Sequence, residues 1–287
     1  MRYIESKKIA ETVKSLCIAA NYELPHDVLA ALKKAVQKES NPRAVKILNQ
    51  LIENTYIAKT ELIPLCQDTG LAVIFVQQGV DVVIKPPAIN GHLTLCEAIN
   101  AGITAGYKDG YLRKSVVAEP LNKRKNTNSN TPAIIHHEII PGDKLKITIM
   151  AKGGGCENKS QFKMFKPTAK KDEIIDWVVD VVKQAGADAC PPFIVGVGIG
   201  GNFERSCFLS KKALLRNLDQ KNSDKFYAKL EADLLSKINM LGIGPQGLGG
   251  DTTALACLTE TAPCHIASLP VAVNIECHSH RHKSVVI

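Results

Sequence analysis

Three cysteines stand where thiol chemistry can be done: Cys66 in the stretch Cys66-Gln67-Asp68-Thr69-Gly70, Cys190 just before Pro191-Pro192, and Cys277 at the end of an apolar run. Cys66 follows a helical pattern over residues 55–62 and a break at Pro64, and it precedes the apolar run 71–76. A thiol, an amide and a carboxylate therefore share a helix-to-strand turn, where side chains readily face a cleft. Three thiols at strand edges, far apart in sequence, read as one shared three-thiolate metal site. Iron–sulfur clusters are held by thiolates, normally four for a four-iron cubane. With three, one iron keeps open positions and works as a Lewis acid. The competing expectation is that most of these cysteines are ordinary buried apolar residues.

The rest of the chain bounds that reading. Its 287 residues can bury a sizeable core, and 45% of them are hydrophobic, as in an ordinary globular protein. No run of eighteen apolar residues occurs, so no transmembrane helix and no membrane partner are expected. The first eight residues lead into an amphipathic helix and do not resemble a signal peptide, which points to a cytoplasmic protein. Nine cysteines cannot all pair within one chain, and in a reducing compartment metal ligation, catalysis or burial are the better roles. A net charge of +8 raises the question of nucleic acid, but the lysines are dispersed and only 5% of residues are aromatic. Without stacking platforms, a small anionic substrate fits this charge better than a nucleic acid.

The elements that must position these residues are read from periodicity. Ile9, Val13, Leu16 and Cys17 recur at helical spacing, as do Val28, Leu32 and Val36. A third helix follows Asn41-Pro42, an N-cap and first-turn pair. Strands are expected at 71–76, 80–84, 193–197, 255–258 and 271–276, with a half-exposed strand at 145–149 that runs into Lys152-Gly153-Gly154-Gly155. Helices are expected at 92–105 (with Cys96 packed inside), 172–184, 208–216 and 229–241, and a polar surface loop at 122–132. The fold class is α+β: a helical N-terminal region over 1–62, then a cluster-binding region over 63–287 built on a mixed sheet flanked by helices, all in one domain. Cys17, Cys207 and Cys257 are read as structural.

Five ordered motifs carry a resemblance. CQDTG at 66–70, KGGGCEN at 152–158, ACPPFIVGVGIGG at 189–201, GPQGLGGDTTAL at 244–255 and CHIASLPVAVNIECHSHRH at 264–282 resemble the alpha subunit of class I (iron–sulfur) fumarate hydratases and of the related L-tartrate dehydratases. The resemblance implies a site-differentiated 4Fe–4S cluster on Cys66, Cys190 and Cys277, and an Fe–S hydro-lyase alpha-subunit fold. It implies reversible hydration of a small dicarboxylate, fumarate to (S)-malate. Gln67, Arg113 and Gly155 match substrate-binding positions. Asp68 and His265 match catalytic ones near the leaving hydroxyl. In the family a beta subunit or second domain supplies the catalytic base and further cationic contacts. A beta-subunit partner, as two alpha and two beta chains, is therefore implied, with activity only in the complex. The chain departs from the motifs at Cys156, where serine is expected, and at Cys264, where threonine is common.

Other readings stand beside this one. Residues 196–201 satisfy the dinucleotide pattern G-x-G-x-x-G, which alone is weak; glycines that let backbone pass close to the cluster explain them better. His278, His280 and His282 with Cys277 form a potential zinc site that would leave Cys66 and Cys190 unexplained. A scaffold subunit without catalysis is the plainest alternative.

Overall fold

The computed structural model describes residues 1–86 and 94–287. The elements run β1 (Arg2–Glu5), α1 (Ser6–Tyr22), α2 (His26–Lys38), α3 (Pro42–Glu61), β2 (Leu71–Gly79), β3 (Val82–Lys85), α4 (Leu95–Asp109), β4 (Ile134–Ile140) and β5 (Leu145–Lys152). There follow α5 (Gly154–Glu157), β6 (Gln161–Phe165), α6 (Lys171–Ala185), β7 (Phe193–Gly200), α7 (Phe203–Ala213), α8 (Lys225–Asn239), β8 (Ala254–Ala262), β9 (Leu269–Glu276) and β10 (His282–Val286). This is an α+β fold. Its contacts fall into two compact units: Met1–Pro25 with Ile57–Gly154 and Arg281–Ile287, and His26–Tyr56 with Gly155–His280.

In the first unit the sheet order is β10-β5-β2-β4, and only the β2–β4 pair is parallel. The apolar stripe of α1 (Ile9, Val13, Leu16, Cys17) is buried together with Ile99 and Ile103 of α4. Gly102 permits this approach, since a Cβ there would lie 2.5 Å from the Ala10 carbonyl oxygen. A capping box opens α4: Thr94 Oγ1 accepts from the Glu97 amide at 3.2 Å, and the Glu97 carboxylate accepts from the Thr94 amide at 2.7 Å. The expected start of this helix at His92 lies outside the described residues. Cys96 is exposed rather than packed inside, because it falls on the outer face of α4. β5 is not half-exposed. Flanked by β10 and β2, it buries every residue except Lys146, so strict alternation understated its central position.

In the second unit the order is β6-β9-β7-β8, with β7–β8 parallel and β7 antiparallel to β9. Every residue of β7 is buried. Val195, Val197 and Ile199 join the core formed with α6 and α8, including Val178, Leu230 and Leu234. Gly196 and Gly198 alternate with them and meet α7: a Cβ at either would collide with the carbonyl oxygens of Ser210 and Ser206, respectively. Gly196 and Gly198 of the dinucleotide-like pattern thus lie inside the strand, where they make room for a packed helix. α7 starts at Phe203, five residues before the expected start, because Asn202 Oδ1 caps it by accepting from the Arg205 amide at 2.8 Å. The first turn of α3 keeps the expected signal: Asn41 Oδ1 accepts from the Arg43 amide at 3.0 Å, with Pro42 at the first position. No helix among the described residues is long and apolar enough to cross a membrane.

Candidate functional site

The turn at 66–70 joins α3 to β2, and side chains from distant segments fix it. Gly70 takes φ +70°, and a Cβ there would sit 2.5 Å from the Lys152 carbonyl oxygen, so only glycine is tolerated without strain. The buried Tyr107 hydroxyl lies 2.9 and 3.1 Å from the carbonyl oxygens of Thr69 and Gly70. Burial pushes the Tyr107 pKa well above the usual tyrosine range, which keeps that hydroxyl a donor. Asn130 donates to the Gly70 carbonyl at 3.1 Å and accepts from the Ser115 amide at 2.7 Å. It is fully buried, although it lies in the segment expected to be a surface loop.

These bonds bring the sequence-selected residues of the first unit together. Thr69 Oγ1 donates to the Arg113 carbonyl at 2.9 Å, which seats exposed Arg113 beside the turn. The half-buried Cys66 thiol lies 3.2 Å from Gln67 Oε1. Asp68 uses both carboxylate oxygens: Oδ1 accepts from the Gly70 amide at 3.0 Å and Oδ2 from the Gly154 amide at 2.8 Å. A methyl group placed on Gly153 would touch both Asp68 Oδ2, at 3.4 Å, and Arg281 Nη2, at 3.7 Å. The missing side chain leaves a slot between a carboxylate and a guanidinium.

Two residues of this corner were not selected from the sequence. Arg281 is 1% exposed and donates from Nη1 to Asn21 Oδ1 at 3.2 Å, while its carbonyl accepts from the Ala151 amide at 2.9 Å. Lys152 is fully buried. Burying cations is costly unless partners or ligands offset the lost hydration. The only signal in the chain was their place inside two of the five motifs.

In the second unit, Cys190 and Cys277 reach one edge of the sheet. β7 opens three residues after Cys190, β9 closes one residue before Cys277, and Ile194 pairs with Glu276 across them. Cys190 is exposed and holds a left-handed backbone (φ 55°, ψ 65°), a conformation rare outside glycine and concentrated at functional sites. The glycine-rich turn at 244–250 supports it from behind. Pro191 O accepts from the Gln246 amide at 2.8 Å and from Gln246 Nε2 at 3.0 Å. Nδ1 of His278 lies 3.1 Å from both Gln246 Nε2 and the Cys190 carbonyl oxygen. Beneath this edge, donor atoms of Cys156, Glu276 and Cys277 lie within 4.8 Å of one another, all buried.

The zinc reading of the histidine run finds no such geometry. His278 packs on Cys190, and His280 Nε2 lies 2.7 Å from the Leu214 carbonyl. The Cys156–Glu276–Cys277 group is the close set of three metal donors found among the described residues.

His265 is not at this edge. It occupies the turn before β9, whereas Cys277 follows the end of that eight-residue strand, roughly 25 Å away along the chain direction. It is exposed, with Nδ1 accepting from the Ala267 amide at 3.1 Å. Gly155, by contrast with Gly70, needs no glycine for packing: a Cβ there would meet only Asp188 O, at an ordinary 3.6 Å. Burial raises the thiol pKa of Cys17 to about 12 and raises those of Cys257 and Cys207 as well, which suits structural roles.

The fold and these motifs define a hydro-lyase subunit, and the chain belongs to the family described as Fumarate hydratase (Fumerase), whose family model matches residues 10–286. Among its relatives is a Methanocaldococcus jannaschii protein named "Putative L(+)-tartrate dehydratase subunit alpha", 40% identical over 278 residues that cover 96% of this chain and 95% of that protein. The L(+)-tartrate dehydratase subunit alpha of Escherichia coli O157:H7 is 29% identical over 282 residues, 98% of this chain and 91% of the relative. The Escherichia coli K12 protein of the same name shows the same identity and coverage. The resemblance read from the five motifs agrees with this assignment.

Proposed function

We propose that this chain is the alpha subunit of a hydro-lyase that reversibly hydrates fumarate to (S)-malate with a site-differentiated 4Fe–4S cluster. The observation that carries the proposal is the bond from the Gly154 amide to Asp68 Oδ2, which ties the CQDTG turn to the glycine turn after β5. The donor set fits a thiolate-held cluster. Cys190 and Cys277 share one sheet edge of the second unit, and Cys66 leads a rigidly bonded turn of the first. When bound, such a cluster supplies a Lewis acid for the leaving hydroxyl.

The chain's own residues would do the rest. Arg113 and Gln67 hold the substrate carboxylates, with the Gly155 amide as a further donor. The slot between Asp68 and Arg281 suits one carboxylate or hydroxyl oxygen, with Arg281 balancing charge and Asp68 Oδ2 taking or returning the hydroxyl proton. The base that removes the C3 proton belongs to a beta subunit, in an assembly of two alpha and two beta chains, within one 287-residue Fe–S hydro-lyase domain of this chain in the cytoplasm. His265, at the far end of its sheet from Cys277, serves the cysteine edge of the second alpha copy.

The names of the relatives favour a second reading, L-tartrate dehydration, which differs by one substrate hydroxyl. Turnover of malate, fumarate and L-tartrate by the anaerobically co-expressed alpha and beta chains tests both. Preference for the monohydroxy acid supports the first reading, and preference for tartrate supports the second. A colourless complex active on neither would sink the cluster proposal.

A further inference from the structure

We propose that Cys156 and Cys277 are a redox-active thiol pair, a modification site that closes to a disulfide when Cys277 holds no iron. Their sulfur atoms lie within 4.8 Å of one another, and both residues are buried, at 4% and 8% exposure. A disulfide needs about 2.05 Å between sulfurs, so closing the bond requires the two side chains to turn toward one another.

The surrounding backbone is held in place for this pairing. Ser160 Oγ accepts from the Ile275 amide at 3.2 Å, and Glu157 Oε2 accepts from Asn274 Nδ2 at 3.3 Å. Lys211 Nζ donates to both Glu157 oxygens, at 2.9 and 2.7 Å, and the Cys156 thiol lies 3.4 Å from the Ala189 carbonyl oxygen. Glu157 and Ser160, just after Cys156, thus tie that segment to Asn274 and Ile275, just before Cys277. Cys264, the other departure from the motifs, is exposed in the turn at the opposite end of β9 and has no comparable neighbour in the close donor group.

The chemistry balances with hydrogen peroxide as the oxidant. One thiol gives up its proton, the thiolate attacks a peroxide oxygen, the O–O bond breaks, and a sulfenic acid forms as the departing hydroxide takes that proton and leaves as water. The second thiol then attacks that sulfur, the S–S bond forms, and hydroxide leaves and is protonated to water. Two thiols lose two electrons in all, and one peroxide becomes two waters. The consequence is protective. Cys277 is stored in a form that a dithiol reverses, instead of advancing to the sulfinic or sulfonic acid, which stay oxidised. A serine at position 156 offers no such trap. The inference borrows from the proposed function only the role of Cys277 as a ligand; the pairing itself rests on the sulfur geometry.

The test uses the full chain, stripped of iron anaerobically, exposed to a small excess of hydrogen peroxide, alkylated and mapped by mass spectrometry without reduction. The expected result is a peptide linking Cys156 to Cys277, lost on adding dithiothreitol. The variant Cys156→Ser is expected to lose the link and to accumulate oxygen adducts on Cys277, while Cys264→Ser keeps the link. Intact thiols at both positions of the wild-type chain, or a link from Cys277 to Cys190 instead, would overturn the proposal. Iron and sulfide uptake is measured on a reduced aliquot of the same preparation that has seen neither peroxide nor alkylating agent. A chain that takes up neither yet gives the linked peptide refutes the cluster reading and leaves the thiol pair standing.

Discussion

Asp68 and Gly154 are joined by a hydrogen bond of 2.8 Å, in which the carboxylate Oδ2 accepts from the backbone amide, while Oδ1 holds the Gly70 amide at 3.0 Å. One side chain therefore ties together two of the five motifs. An asparagine at 68 can accept at only one of these amides and would present its own N–H groups to the other. Asp68→Asn is expected to cost about 1–3 kcal/mol in stability, measured by urea denaturation. Turnover by the complex should fall by roughly 100-fold or more if Oδ2 also carries the hydroxyl proton. A variant that unfolds at the wild-type urea midpoint and turns over normally would refute both roles.

Gly70 tests how strictly the Cys66 turn is held. With φ +70° and a Cβ position 2.5 Å from the Lys152 carbonyl oxygen, alanine forces the turn to shift. Gly70→Ala is expected to lower stability by about 1–3 kcal/mol and to reduce iron bound per chain after reconstitution. Iron retention equal to wild type would show that the turn does not set the Cys66 position.

The cysteines should divide into two groups. Cys190→Ser is expected to lose iron and sulfide, while Cys17→Ser and Cys207→Ser keep both. Chemical analysis of anaerobically reconstituted variants reads this directly. Equal losses across the three would mean that the sheet edge at Cys190 has no special part.

Cys17 also carries a pH signature. Burial raises its thiol pKa from 9.0 to about 12, so the folded chain holds a proton that the unfolded chain releases above pH 9. At pH 7 both states are protonated and nothing is gained or lost. Stability is then expected to fall as pH rises from 9 toward 12, by up to ~4 kcal/mol from this group alone. Cys17→Ala should flatten that alkaline limb even though the cavity lowers stability overall. An unchanged slope in denaturation midpoints between pH 8 and 11 would contradict the assignment.

Complementation decides the role of His265. An alpha chain with Cys190→Ser and another with His265→Ala should each give an inactive complex. Co-expressed with the beta chain, they should recover a fraction of wild-type turnover, because one mixed site receives intact cysteines from one copy and the histidine from the other. No recovery from mixed complexes of confirmed composition would show that His265 does not act across copies.

Much of the fold was legible because its periodicities are local. Ile9, Val13 and Leu16 mark α1, and Asn41-Pro42 marks the start of α3, since helix caps and apolar stripes are written in neighbouring residues. Positions decided by long-range pairing were less legible. β5 alternates in sequence yet is buried along nearly its whole length, because strands on both sides and α1 above it determine its exposure. Gly196 and Gly198 imitate a nucleotide fingerprint but make room for α7. Asn130 sits in a polar stretch and is fully buried, holding Gly70 and Ser115.

The order of residue types along the chain was enough to point to an α+β framework and to membership of a hydro-lyase family, since motifs and short-range periodicity survive without coordinates. Folding alone decided which distant groups meet: Asp68 with the Gly154 amide, Arg281 and Asp68 on either side of the Gly153 slot, Cys156 under Cys277, and His265 a full strand away from it. Those meetings depend on strand order and register, which arise from burial and hydrogen bonding between segments that share no local signal.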